Sequence, residues 1–257
     1  VKILFDHYSL CLYGKSKTDG SDLRFTDQNN NLLNFWIESG LNTYNCIVWI
    51  KIPLIPAYSS VKVKLFYGNS SVTASLSNGN NTFKFFDDFN GSSLDPNKWT
   101  TYQEATTPSQ NGRVTISNSE LTIKSGRSSD LTTTNRIVKS IPTFNGNQRM
   151  RLRVKAPTWG GVGSSLGGFR AVFWSISSIG AAHFVADEGG YLARVQDQQS
   201  NVYSSPDLSL QYDPVDYEVD EIGLNYQNNS NMIYKINDYQ VWSYQSMPNQ
   251  NNLIAYL

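Results

Sequence analysis

The chain has 257 residues, and its 21 Lys and Arg offset 21 Asp and Glu, so the formal net charge is zero. That balance leaves no whole-chain electrostatic footprint for nucleic acid or an anionic membrane. Only 16% of residues are charged; the remaining polarity comes from Asn, Ser, Thr, Gln and Tyr, a pattern common in extracellular proteins. The length suits one large β-sandwich or two smaller domains, and no run approaches the ~18 apolar residues of a membrane span.

The chain opens on "VKILF", which reads as a strand already in progress, and closes on "NLIAYL", another strand. Both ends read as cuts in a longer polypeptide. Helical periodicity is nearly absent between them. Short alternating segments follow one another instead: "CIVWIKI", "VKVKLFY", "RVTI", "LTIK", "RMRLRVK", "FRAVFWSI", "HFVA", "YLARVQ", "YEVDEIGL", "MIYKI" and "YQVWSY". Gly, Asn, Ser and Pro clusters separate them, which is the signature of an all-β sandwich or jelly-roll protein.

One boundary stands out. Residues 68–82, "GNSSVTASLSNGNNT", hold almost no large apolar side chains and read as a linker or long loop. The predicted organisation is a first β-sandwich over 1–75, incomplete at its N-terminus, a linker over 76–84, and a second β domain over 85–257. "FFDDFNG" then starts the second domain as a strand, with Phe85 and Phe89 on one face and Phe86 on the other.

Cys11 and Cys46 are too few for a disulfide framework. They fit either one bridge between neighbouring strands or two buried thiols. With only His7 and His183 in the chain, a zinc site lacks ligands. N-glycosylation sequons at Asn69, Asn80, Asn90 and Asn228 all fall in stretches read as turns or loops.

Two charged rows require weighing. "RMRLRVK" sets Met150, Leu152 and Val154 on one face and Arg149, Arg151, Arg153 and Lys155 on the other. Such a row could grip an acidic polysaccharide, although a solvated outer sheet face is the preferred reading. "DPVDYEVDEIG" places Asp216, Glu218 and Asp220 on one face, about 6.6 Å apart along the strand. A catalytic pair or a cation site is one reading, and a solvated sheet edge is the other.

The "DGSDLRFTD" block, the following "WIES", "VWIKIP" with "IPA", and "YGN" resemble the domain of unknown function 2341 of archaeal and bacterial surface proteins, over about residues 1–75. In order, "FFDDFNGSSLDPNKW", "NQRMRLRVKAPTWGG" and "GGFRAVFWSIS" resemble the concanavalin A-like superfamily of laminin-G-like modules, lectins and family 16 glucanases. That resemblance implies two tandem β-sandwiches, the second concanavalin A-like over 85–257 and lacking its closing strand. It also implies a structural Ca²⁺ near Asp87 and Asp88.

In those glucanases the strand after the "FRAVFW" segment carries catalytic carboxylates as E-x-D-x-E. Here the matching strand is "AAHFVADEGG", whose face offers His183, Val185 and Asp187, with Glu188 just beyond. A retaining mechanism needs two carboxyl groups about 5–5.5 Å apart, so the resemblance implies that glucanase chemistry is lost. What remains is a sugar-binding face. Arg170 and Trp174 share one side of "FRAVFWSIS", and His183, Tyr191 and Arg194 on the next strands are candidate neighbours, with Trp159 and Trp242 as weaker candidates.

The expected function is therefore a non-enzymatic adhesion or recognition segment of a secreted, cell-surface or virion-attachment protein, such as an adhesin or a tail fibre. It would be extracellular, and its partners would be cell-surface glycans or an S-layer glycoprotein, together with other domains or copies of the same assembly. Two alternatives stay open: a polysaccharide-degrading hydrolase of the family 16 type with relocated carboxylates, and a structural spacer.

Overall fold

A computed structural model of the chain describes residues 1–103, 113–124, 126–127, 133–134, 136–144, 150–155, 170–175, 181–187, 190–196, 202–206, 208, 216–224, 230–236, 239–247 and 253–256. The chain divides into two compact units, Val1–Asp88 and Phe89–Leu257. Strands dominate both, and among the described residues no helix is long and apolar enough to cross a membrane.

The first unit contains β1 (Lys2–Phe5), α1 (His7–Leu12), β2 (Arg24–Thr26), β3 (Phe35–Ser39), β4 (Cys46–Ile50), β5 (Lys64–Phe66) and α2 (Gly79–Thr82). A three-stranded antiparallel sheet runs β1-β4-β3, and β2 pairs with β5. Alternation on β4 is strict: Cys46, Val48 and Ile50 are buried, while Ile47 and Trp49 are half-buried on the other face. The buried set joins Leu23, Phe25, Leu33 and Phe35 in one core. Phe25 and Phe35 meet edge-to-face at 4.9 Å, each contributing about 1.5–3 kcal/mol by leaving water.

Both helices are short and start on side-chain caps. Asp6 accepts the amide of Ser9 at 2.9 Å, and Asn78 accepts that of Asn81 at 3.0 Å. A single turn of helix leaves too little periodicity to read from sequence, so α1 went unpredicted.

The stretch read as a linker is docked instead. Ser77 bridges to Phe35 in parallel, its Oγ accepts the Ile37 amide at 2.8 Å, and Asn78 donates its amide to the Phe35 carbonyl at 2.8 Å. Phe83 and Phe86 then stack on each other and edge-on against Trp36, and Phe83 also meets Trp49. Residues 83–88 are not a strand, contrary to expectation, and they belong to the first unit. The outer face of β3–β4 offers two indoles that the polar "SNGNN" stretch cannot cover, and the two phenylalanines cover them. Phe89 turns the chain with φ 51, outside the extended region, so no strand runs through "FFDDF".

The second unit contains β6 (Trp99–Gln103), β7 (Arg113–Ser117), β8 (Glu120–Lys124), β9 (Gly126–Arg127), β10 (Thr133–Thr134), β11 (Arg136–Ser140), β12 (Leu152–Lys155) and β13 (Arg170–Ser175). It continues with β14 (Ala181–Asp187), β15 (Gly190–Gln196), β16 (Val202–Ser204), β17 (Asp216–Leu224), β18 (Ser230–Ile236), β19 (Tyr239–Met247) and β20 (Leu253–Tyr256). A seven-stranded sheet runs β16-β15-β14-β13-β20-β11-β6, and a four-stranded one runs β12-β17-β18-β19. The short pairs β7-β8 and β9-β10 stand apart. The predicted hairpin at 117–120 forms, with Asn118 and Ser119 both at positive φ (53° and 59°), as a two-residue turn matching strand twist requires.

Candidate functional site

The seven-stranded sheet is antiparallel throughout, so residues directly opposite one another share a face. One row crosses it from edge to edge: Ser204, Arg194, His183, Val172, Tyr256, Lys139 and Thr100. Two residues along, Trp174 is registered with Ala181 and Ile254. Two residues the other way, Arg170 is registered with Val185, and Val185 with Leu192.

Arg170, Trp174, His183 and Arg194 therefore fall on one face. Tyr191 does not: it is registered with Ala186, in the alternate row with Phe184 and Ala193. A two-residue period puts it on the opposite side, and it leaves the candidate set. Burial tells the two faces apart on β6 and β11, where Trp99, Val138 and Ser140 of the alternate rows are buried, whereas Thr100 is exposed and Lys139 half-buried; on the edge strand β16 residues of both faces are exposed. By register the Arg170–Trp174 face is the one on which Thr100 and Lys139 stand, and Ala171 and Phe173 fall in the alternate rows.

Asp187 is the one carboxylate on that face among the described strand positions, at the end of β14 opposite Gly190. Glu188 and Trp159 lie outside the described residues. Trp242 belongs to the other sheet, where it is registered with the buried Tyr234 and packs on it at 5.2 Å.

The two charged rows turn out to face each other. On the four-stranded sheet Arg153 is registered with Glu218, Lys155 with Asp216, and Asp220 with Lys235. Opposite charges set directly across a sheet stabilise it by about 0.2–1 kcal/mol per pair. Each acid of the one row thus has a basic residue in register on the neighbouring strand. Among the described residues no group of three or more His, Cys, Asp or Glu gathers, at Asp87 and Asp88 or elsewhere.

The first unit holds a buried polar chain that sequence reasoning missed. The Asn42 amide donates to His7 Nδ1 at 2.9 Å, so the ring proton sits on Nε2. Nε2 then donates to Ser16 Oγ at 3.2 Å, and Ser16 donates to Asp22 Oδ1 at 3.0 Å. Asp22 also accepts the amides of Lys17 at 3.1 Å and Gly68 at 2.7 Å. Gly40, at φ 75, makes the turn that presents Asn42; a Cβ there would meet the Asn45 carbonyl oxygen at 2.3 Å. Burial lowers the His7 pKa against the pull of Asp22, Asp19 and Asp6. Burial also works against the charged Asp22, but the Gly68 and Lys17 amides and the Ser16 hydroxyl outweigh it and hold its carboxyl low.

The order of these groups excludes a nucleophilic triad. The hydroxyl sits between imidazole and carboxylate, and the ring nitrogen that would act as base is occupied by a backbone amide. Cys11 Sγ lies 3.6 Å from Nε2 and 3.7 Å from Nδ1, but burial and Asp22 push its thiol pKa up, away from reactivity. Cys46 is fully buried and its thiol is pushed up to about 11. Both cysteines are free, so of the two readings the structure shows thiols and not a bridge. The network ties α1 to the 16–22 loop and to Gly68, across separations that no local motif signals.

Three sequons can be placed. Asn69, Asn80 and Asn90 are exposed, although Asn80 lies in α2 and not in a loop; Asn228 is outside the described residues.

Residues 19–102 match the family model described as "Domain of unknown function (DUF2341)". The match starts later and ends later than the expected 1–75, and it spans the docked 77–86 segment. Among curated proteins none matches the chain. Among solved structures, an endo-1,3-beta-glucanase from Streptomyces sioyaensis is similar at 12% identity and TM-score 0.47, over 67% of this chain and 82% of that one.

Proposed function

We propose that the chain is a non-enzymatic recognition segment of a secreted or surface-displayed protein, and that its second unit is a concanavalin A-like sandwich binding carbohydrate. The seven-stranded sheet supplies the binding surface and the four-stranded sheet is the second layer. The observation that carries this reading is the register of one face of the larger sheet. That face collects Arg170, Trp174, His183 and Tyr256, residue types that stack on sugar rings and hydrogen-bond hydroxyls.

Hydrolysis of a glycosidic bond needs two carboxyl groups flanking the bond. On that face, among the described strand positions, only Asp187 is available. Binding without cleavage is the chemistry these residue types support. The partners are glycans outside the cell, in keeping with the charge-poor, Asn- and Ser-rich composition.

The test is a glycan array probed with the full chain, followed by incubation of any bound polysaccharide and assay for new reducing ends. The expected result is binding with no product. Release of reducing sugars would overturn the non-enzymatic reading, and absence of binding to every glycan would overturn recognition.

A further inference from the structure

We propose that the loop joining β4 to β5 is a membrane-docking finger: its apolar tip enters an anionic lipid surface while lysines at its base meet the headgroups. The proposal goes beyond the carbohydrate reading and does not rest on it, because the loop belongs to the first unit. Residues 53–58, "PLIPAY", are exposed at every position. Leu54 is 72% exposed, Ile55 50%, and Tyr58 fully. An unbroken apolar run displayed to water in this way marks an interaction surface.

The loop is held in shape. Pro53 and Pro56 restrict their own φ to about −65°, and the Ser59 amide donates to the Pro56 carbonyl at 3.3 Å, closing a turn. Tyr58 sits in that turn at φ 56, where glycine is the usual residue. Its side chain is fully exposed, so packing inside the protein does not account for a tyrosine there. A ring with an apolar body and a polar hydroxyl suits the boundary between lipid and water.

Charge names the occupant. The chain is neutral overall, but residues 39–86 hold four lysines and no Asp or Glu. Lys51 precedes the tip and Lys62 and Lys64 follow it, all three exposed. Lys51 donates to the Asn81 carbonyl at 3.1 Å, and Lys64 to the Gln28 carbonyl and Asn30 Oδ1 at 3.0 and 2.8 Å, all neutral acceptors. Asp27 adjoins Thr26, which is registered with Lys64, and offsets part of that lysine's charge; Lys51 and Lys62 carry the argument. An apolar finger with cations at its base complements a phospholipid leaflet, which sets hydrocarbon beneath a layer of negative phosphates. Lysine stems can lie along apolar surface while their ammonium groups reach the headgroups. An apolar groove on a protein would take the tip and give the lysines no role.

The experiment is co-sedimentation of the full chain with vesicles of phosphatidylcholine alone or with phosphatidylglycerol added, at low and high sodium chloride. Analytical ultracentrifugation of the chain without vesicles accompanies it. The expected result is that phosphatidylglycerol vesicles bind about tenfold more tightly than phosphatidylcholine ones, and that salt narrows the gap. The Leu54→Ser/Ile55→Ser variant should bind the anionic vesicles at least about tenfold more weakly, having lost two apolar side chains from the tip. The Lys51→Gln/Lys62→Gln variant should lose the preference for phosphatidylglycerol. All four side chains are exposed, and glycan binding by both variants should match that of the unaltered chain. No binding to either vesicle, or unchanged binding by the Leu54→Ser/Ile55→Ser variant, would overturn the proposal. A preference that survives in the lysine variant would overturn the anionic assignment. Self-association that the Leu54→Ser/Ile55→Ser variant abolishes, without vesicle binding, would assign the loop to a second copy of the chain instead.

Discussion

His7 is buried to the last atom and still fully hydrogen-bonded, because the Asn42 amide and the Ser16 hydroxyl serve its two nitrogens. Its neutral ring has a consequence for stability. The unfolded ring takes up a proton near its ordinary value of about 6.5, whereas burial lowers the folded pKa. Below that pH the unfolded state binds more protons, so stability is full above pH ~6.5 and falls as the pH drops toward the folded value. Chemical unfolding of the full chain between pH 7.5 and 5 should show this slope, and His7→Asn, which keeps an acceptor at the Nδ1 position, should flatten it. Asp22→Ala should cost about 2–3 kcal/mol at pH 7, because it strands the donors of Ser16, Lys17 and Gly68. None of this was legible in the sequence. His7 and Asp22 look like ordinary polar residues there, and what joins them is the fold bringing Asn42 and Gly68 to the same place.

At the level of elements, most strands were legible because alternation is a local property of the chain. The cross-strand partners were not. "RMRLRVK" and "YEVDEIGL" each look like a charged row in isolation, and only the register of β12 on β17 shows that basic and acidic positions stand across from one another. Glu218→Lys, which sets like charges opposite one another at Arg153, should destabilise the chain by about 0.5–1 kcal/mol, and adding Arg153→Glu should restore the loss. The 76–84 stretch taught the opposite lesson: its composition suggested a linker, but Ser77 and Phe83, with Phe86 just beyond, fasten it to β3 and β4. Gly79 allows this, since a Cβ there would lie 2.2–2.4 Å from the Phe86 ring. Gly79→Ala should therefore displace the ring, cost about 1–3 kcal/mol, and shift the fluorescence of Trp36 and Trp49 toward that of a wetter environment.

Over the whole molecule, composition and periodicity were enough for the β-rich class; the two compact units divide between Asp88 and Phe89, beyond the 76–84 stretch read as a linker. The candidate face was legible in part. Alternation within "FRAVFWSIS" paired Arg170 with Trp174, but Tyr191 could be excluded only once β15 was registered against β14. That difference provides the most direct test of the central claim, that the Arg170–Trp174 face of the seven-stranded sheet binds carbohydrate. The measurement is the affinity of the full chain, its Trp174→Ala variant and its Tyr191→Phe variant for one glycan selected by the array. The account predicts that Trp174→Ala weakens binding at least about tenfold, the loss of one aromatic stacking partner, while Tyr191→Phe binds like the unaltered chain. Unchanged binding by Trp174→Ala, or a loss confined to Tyr191→Phe, would contradict it.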